Sequence, residues 1–203
     1  MLQEPETESF SGREHQSQGW IEIICGSMFS GKTEELIRRL NRAIIARQKV
    51  EIFKPAIDNR YHEEFVVSHN ANEIRSTPVQ FASDILLLIG NCQVVAIDEA
   101  QFFDQDLISV AQKIANMGKR VIVAGLDMDY LGKPFAPMND LIAIAEFVTK
   151  MHAICMQCGS LASYSFRLDN SDDHVMLGEK DIYEARCRKC FNEGMELRKK
   201  EKN

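Results

Sequence analysis

The stretch that most limits what this chain can become is Gly26-Ser27-Met28-Phe29-Ser30-Gly31-Lys32-Thr33, placed directly after the apolar run Ile21-Glu22-Ile23-Ile24-Cys25. A glycine, four residues, a second glycine, a lysine and a hydroxyl residue make the phosphate-loop pattern. The glycines allow a tight turn in which successive backbone N–H groups converge on phosphate oxygens. Lys32 then reaches the terminal phosphates, and the Thr33 hydroxyl is a ligand for Mg²⁺. Beyond the loop, Leu36, Ile37, Leu40, Ala43 and Ile44 recur at helical spacing, with Glu34, Glu35, Arg38, Arg39 and Arg42 on the other faces. A helix that starts there adds the positive end of its dipole to the phosphate site. A chance match in a glycine-bearing turn would lack this flanking strand and helix. The stretch reads as a nucleoside triphosphate site.

The same alternation continues along the chain. Val50-Glu51-Ile52-Phe53 predicts a second strand ending at Lys54-Pro55, and the polar stretch from Ala56 to Thr77 predicts a mobile loop region. Phe81, Ile85, Leu86, Leu88 and Ile89 predict a helix closed by Gly90-Asn91. Val94-Val95-Ala96-Ile97 is an apolar strand that ends on two carboxylates, Asp98 and Glu99. Asp104 is placed to cap a helix carrying Leu107, Ile108, Ala111, Ile114 and Ala115, which stops at Met117-Gly118. Val121 to Gly125 is another buried strand, and residues 139–147 look helical after a loop punctuated by Gly132, Pro134 and Pro137. Strands alternating with helices predict an α/β fold with a parallel sheet covered on both faces. The expected organisation is a disordered tail over 1–19, a phosphate-loop domain over 20–150, a cysteine-bearing domain over 151–192 and a C-terminal tail over 193–203.

Composition narrows the classes of function. A net charge of −6 over 203 residues argues against a nucleic-acid binder, which shows a basic stripe. There is no apolar run of the roughly eighteen residues needed to cross a bilayer, and no charged-then-apolar leader, so a cytoplasmic protein is expected. Cys25 and Cys92 sit alone in apolar runs as small buried hydrophobes. Cys155-x-x-Cys158 and Cys187-x-x-Cys190 suit tetrahedral zinc, each pair giving two thiolates from a tight knuckle. Two disulfides or a redox motif remain open as alternatives, and His152 is close enough to compete as a ligand. Four protein ligands leave no open position, so such a zinc would be structural.

Asp98 is a ligand type for the Mg²⁺ that bridges terminal phosphates, on a strand expected beside the phosphate loop. Glu99, held near the γ-phosphate, can accept a proton from whatever oxygen attacks. Water as the attacker makes an ATPase; a substrate hydroxyl makes a kinase. The Asp-Glu pair alone leaves both open. Phe102, Phe103, Phe135 and Tyr183 are able to stack on a base or to fill the core, and Asp58-Asn59-Arg60-Tyr61 offers an arginine within a polar segment.

Taken in order, the phosphate loop of 26–33, Asp58-Asn-Arg-Tyr61, Asp98-Glu-Ala-Gln-Phe-Phe103, Gly125-Leu-Asp-Met-Asp129, Lys133-Pro-Phe135 and the four cysteines closely resemble the type II, zinc-containing thymidine kinases. The resemblance runs from about Trp20 to Phe191. It implies a RecA-like domain that transfers the γ-phosphate of ATP to the 5′-hydroxyl of thymidine with Mg²⁺. By motif match, Glu99 would be the base, Thr33 and Asp98 the magnesium residues, and Gly26, Ser27, Met28, Phe29, Ser30, Gly31, Lys32, Thr33, Asp98, Glu99, Ala100 and Gln101 the ATP site. A lasso loop between the cysteine pairs would fold over the nucleoside. The thymine positions would fall on Met28, Phe102, Leu126, Phe135, Ser165, Met176, Gly178 and Tyr183.

The resemblance further implies a cytosolic homotetramer inhibited by dTTP in the nucleoside pocket. Ser165 stands where the family often has threonine, Leu131 where an arginine is frequent, and Met176-Leu177-Gly178-Glu179 where a Gly-Gly pair is usual. The competing expectation is a RecA-like ATPase with a zinc ribbon acting in DNA metabolism.

Overall fold

The computed structural model describes residues 18–57, 65–67, 73–168 and 182–201. In chain order these form β1 (Trp20–Gly26), α1 (Lys32–Ile45), β2 (Val50–Pro55), β3 (Phe65–Val67), β4 (Glu73–Arg75), β5 (Thr77–Val79), α2 (Asp84–Leu88) and β6 (Val94–Ile97). A single 3₁₀ turn at Ala100–Phe102 leads to α3 (Asp106–Asn116), β7 (Arg120–Gly125), α4 (Met138–Ile144) and β8 (Phe147–Met151). The short strands β9 (Ala153–Ile154), β10 (Leu161–Ala162), β11 (Tyr164–Arg167) and β12 (Tyr183–Arg186) and the helix α5 (Arg188–Glu201) complete it.

Six strands make one sheet in the order β5-β2-β6-β7-β1-β8, every pairing parallel. Central strands of such a sheet are buried on both faces, which is why they read as continuous apolar runs. On one face Ile24, Ile52, Ile122 and Ala124 pack under Leu36, Ile37, Leu40 and Ala43 of α1. On the other, Ile23, Phe53, Ile97 and Val123 pack under Ile85 of α2, Leu107, Val110 and Ile114 of α3, and Met138 and Leu141 of α4. The expected α/β architecture is therefore present.

Three expectations change. Within the polar stretch from Ala56 to Thr77, expected to be loop, Phe65–Val67 and Glu73–Arg75 pair antiparallel, and at its end Thr77–Val79 pairs with β2 as a sheet edge. With one proline among three residues it carries no alternation to detect, and proline is tolerated because the strand is an edge. Helix α4 ends at Ile144, and Phe147–Met151 becomes the opposite edge strand; five residues are too few to declare their period. Helix α2 is shorter than the span 81–89, because Phe81 and Ala82 turn instead. Asp104 acts one step away from a formal cap: its Oδ1 accepts Asp106 N–H at 3.0 Å and its Oδ2 accepts Ala82 N–H at 3.2 Å, tying the starts of α2 and α3 together. The Asp58–Tyr61 motif lies outside the described residues.

Glu22 interrupts the apolar pattern of β1, yet it is fully buried. Arg39 of α1 donates to its Oε2 at 2.7 Å, and Arg120 of β7 and the Trp20 indole donate to its Oε1 at 2.6 and 2.7 Å. Arg39 also donates to Glu35 at 2.8 Å and to Thr149 of β8 at 2.9 Å. This network pins the helix behind the phosphate loop to three adjacent strands. Burial by itself would raise the Glu22 pKa; the hydrogen bond and charge of Arg120, the Trp20 hydrogen bond and the Arg39 charge overcome it and hold the carboxyl below the usual range. A depressed folded value means the network's stabilisation is present at neutral pH and is lost as pH falls through the ordinary glutamate range, about 4, towards the folded value. Glu22→Gln takes the buried charge from between Arg39, which keeps Glu35, and the part-buried Arg120, and should cost about 3 kcal/mol. A lower urea midpoint with an unchanged slope would register it; an unchanged midpoint would remove the network from the stability of α1.

Candidate active site

The loop after β1 takes its shape from one close approach. Gly26 has φ 145°, and a Cβ there would lie 2.3 Å from the Met151 carbonyl oxygen. Phe29 is held at φ 63°, unusual for a residue with a side chain. Its ring packs against Ala153, Cys155, Ala162 and Ala185, anchoring the loop to the C-terminal unit. The Ser30 hydroxyl and the Lys32 ammonium both donate to the Ser27 carbonyl, each at 2.8 Å. Burial pulls Lys32 below the usual lysine range, while Glu99, Asp98 and Asp127 oppose that shift with their charge. Burial likewise pushes the Cys25 thiol beneath the loop up to about 11, as befits an inert core residue.

Asp98 and Glu99 follow β6, which is separated from β1 by β7 and does not lie beside it. The two carboxylates are still near enough for their charge to act on Lys32. Asp98 is buried, its N–H donating to the Phe53 carbonyl and its Oδ1 accepting Glu99 N–H at 2.9 Å. Glu99 is half-buried and held in the left-handed region at φ 50°. Such strain persists where the surroundings enforce it, and it gathers at functional sites. Gln101, buried, donates to Glu99 Oε2 at 2.5 Å and accepts Leu126 N–H at 2.9 Å.

A second group crosses above the loop's base. Asp127, just past β7, pairs through Oδ2 with Lys150 of β8 at 2.7 Å, bridging the strands on either side of β1. Its Oδ1 and the Ser27 hydroxyl are buried and find no hydrogen-bond partner among the described residues. The Ser27 hydroxyl and the Lys32 ammonium are donors at the loop that suit a polyanion, whereas the Asp127 carboxylate oxygen can only accept. Thr33 and Asp98 offer hydroxyl and carboxylate oxygens, the hard donors Mg²⁺ prefers.

The expected nucleoside positions come together in pairs. Met28 N–H donates to the Ser165 hydroxyl at 3.0 Å, joining the phosphate loop to β11. Phe102 meets Phe135 edge to face, ring centres 6.5 Å apart, and Leu126 is tied to Gln101. Tyr183 on β12 faces Ser165's strand and accepts hydrogen bonds from the fully buried Arg167 at 2.6 and 3.1 Å. That guanidinium also lies 3.8 Å from the centre of the Tyr130 ring. Phe103 is core. Met176 and Gly178 lie outside the described residues. Arg167 and Lys150 were not singled out from sequence, and Asp127 stood only within the Gly125–Asp129 motif with no role; each acts through a partner distant along the chain, which no local pattern reports.

The sulfurs of Cys155, Cys158, Cys187 and Cys190 all lie within 4.8 Å of one another, Cys158 and Cys187 at 3.7 Å. Tetrahedral zinc with bonds of about 2.3 Å sets its sulfurs about 3.8 Å apart, whereas a disulfide needs about 2.05 Å. The four cysteines fit zinc, and none of the six is joined in a disulfide. His152 is exposed and turned to the Ser163 hydroxyl at 3.1 Å, outside this cluster.

The family model described as thymidine kinase matches residues 19–191. The chain belongs to the thymidine kinase family. It is 62% identical over 175 residues to a thymidine kinase of Rhodothermus sp. (strain ITI 518), an alignment covering 86% of this chain and 82% of that one. It is 62% identical over 174 residues to a thymidine kinase of Porphyromonas gingivalis (strain W83), with 86% and 85% covered. A thymidine kinase of Bacteroides thetaiotaomicron is 59% identical over 179 residues, with 88% and 90% covered. The match spans both the phosphate loop and all four cysteines, so the two halves of the site belong to one family pattern. Among the described residues no helix is long and apolar enough to cross a membrane.

Proposed function

We propose that this chain transfers the γ-phosphate of ATP to the 5′-hydroxyl of thymidine, giving dTMP and ADP. The observation that supports this reading is the setting of Glu99. Its charge acts on the phosphate-loop lysine, Lys32, and its carboxylate accepts from Gln101, which in turn accepts from Leu126 N–H.

In the proposed reaction the backbone of 26–33 and the Lys32 ammonium hold the phosphates of ATP, with Asp98, Ala100 and Gln101 at the edge of that site. Phe102, Leu126, Phe135, Ser165 and Tyr183, with Met28 and with Met176 and Gly178 from the lasso, hold thymidine. Glu99 removes the 5′-hydroxyl proton as that oxygen bonds to the γ-phosphorus. The bond from γ-phosphorus to the ADP oxygen breaks, and the ADP leaves with its electron pair. Thr33 and Asp98 would hold Mg²⁺, which offsets the charge of the terminal phosphates when bound. Cys155, Cys158, Cys187 and Cys190 would hold one structural zinc. Inhibition by dTTP, a cytoplasmic homotetramer, and a division into domains 20–150 and 151–192 complete the proposal.

A nucleoside panel with ATP and Mg²⁺, followed by monophosphate formed and ADP released, tests it. Thymidine-dependent ADP release with dTMP as product is expected. ADP release indifferent to thymidine, or stimulated by DNA, would favour the ATPase. Within this scheme Lys32→Ala removes a fixed charge from the transferring phosphoryl group and should lower kcat by about a hundredfold or more. ATP kinetics unchanged in that variant would move the nucleotide elsewhere.

A further inference from the structure

We infer that Gln101 is a positioning residue for Glu99, fixing the plane in which the carboxylate meets the substrate hydroxyl; this rests on the assignment of Glu99 as the base. The orientation of the Gln101 amide follows from its partners. Leu126 N–H can only donate, so the Gln101 oxygen faces it at 2.9 Å. The amide nitrogen then faces Glu99 Oε2 at 2.5 Å, where an ionised carboxylate can only accept. The amide is thus a spacer of set polarity between the end of β7 and the proposed base.

Gln101 is itself held. Its side chain is buried, and its oxygen lies 2.9 Å from where a Cβ at Gly125 would stand, beside Met138 at 2.8 Å from the same point. It sits two residues after Glu99 on a single 3₁₀ turn, so the two side chains share one local frame. The backbone of Glu99 is set by its left-handed φ and by the Asp98 carboxylate. The terminal torsion of a glutamate is broad and nearly twofold, and a donor fixed on Oε2 narrows it to the planes that keep that bond. Misplacement of a catalytic group by about 1 Å can lower a rate a hundredfold.

The rival role is merely structural: Gln101 as an acceptor for Leu126 N–H. Two substitutions separate the roles. Gln101→Met keeps the length and removes both bonds. Gln101→Glu keeps an acceptor for Leu126 but sets a second carboxylate against Glu99. Measured on the full chain at saturating ATP, Mg²⁺ and thymidine, both should lower kcat about ten- to hundredfold. In a Glu99→Gln background, Gln101→Glu should have little further effect, because the new amide at 99 can donate to it and no proton transfer remains to be aligned. Full kcat in Gln101→Glu, or an equal penalty with and without Glu99, would overturn the positioning role and leave Glu99 as the base. Near-normal turnover in Glu99→Gln alone would instead remove the base assignment, and this inference with it. If Gln101→Met does not fold, the two Gln101→Glu measurements decide.

Discussion

Glu99→Gln should still bind ATP but lose most phosphoryl transfer, with kcat lower by about 10²- to 10⁴-fold, the range for removing a general base. The substitution keeps size and shape, and the new side chain retains an oxygen to accept the Gln101 amide. What it removes is the ability to take a proton. ATP affinity should persist because it arises from backbone N–H groups of the loop and from Lys32, whose ammonium is already anchored to the Ser27 carbonyl at 2.8 Å. Removing one of the three carboxylates that oppose the burial shift of Lys32 changes its electrostatic setting, but phosphate brings far more negative charge to the same ammonium. Single-turnover transfer measured beside equilibrium ATP binding would separate the two effects. Wild-type transfer in this variant would take Glu99 out of the chemistry.

Cys187→Ser should release the zinc and weaken thymidine much more than ATP. Cys155 and Cys158 flank the turn between β9 and β10, while Cys187 and Cys190 stand at the junction of β12 and α5. One metal would thereby hold the base of the β11–β12 hairpin, whose strands carry Ser165 and Tyr183. In small metal-dependent units the binding energy of the ion is folding energy. If the variant leaves even two residues of that hairpin to be ordered on binding, about 2–4 kcal/mol is lost, more than tenfold in thymidine affinity. The phosphate loop is touched through Phe29, but most of its donors are its own backbone, so ATP should suffer less. Metal content and separate affinities for ATP and thymidine on the purified variant test this. A metal-free wild-type chain that still phosphorylates thymidine would sink it, as would equal losses for both ligands.

The family was legible in the residues alone, because its motifs are written at short range. The phosphate loop is eight consecutive residues, the Asp98-Glu99 pair ends an apolar run, and each cysteine pair is a four-residue knuckle. The central strands were legible too, since burial on both faces leaves continuous apolar runs. The edge strands β5 and β8 were not, because three and five half-exposed residues are too short to show a period.

Tertiary structure alone decided which distant residues share the site. Sheet order places β7 between the phosphate loop and Asp98, and makes Gly125 the gap through which Gln101 reaches Leu126. The Met28–Ser165 bond spans 137 positions and the Arg120–Glu22 pair 98, separations that leave no periodic trace. Sequence pattern records what a residue needs from its immediate neighbours and from the face it buries. Which partner meets that need across the sheet is settled only when the strands take their order.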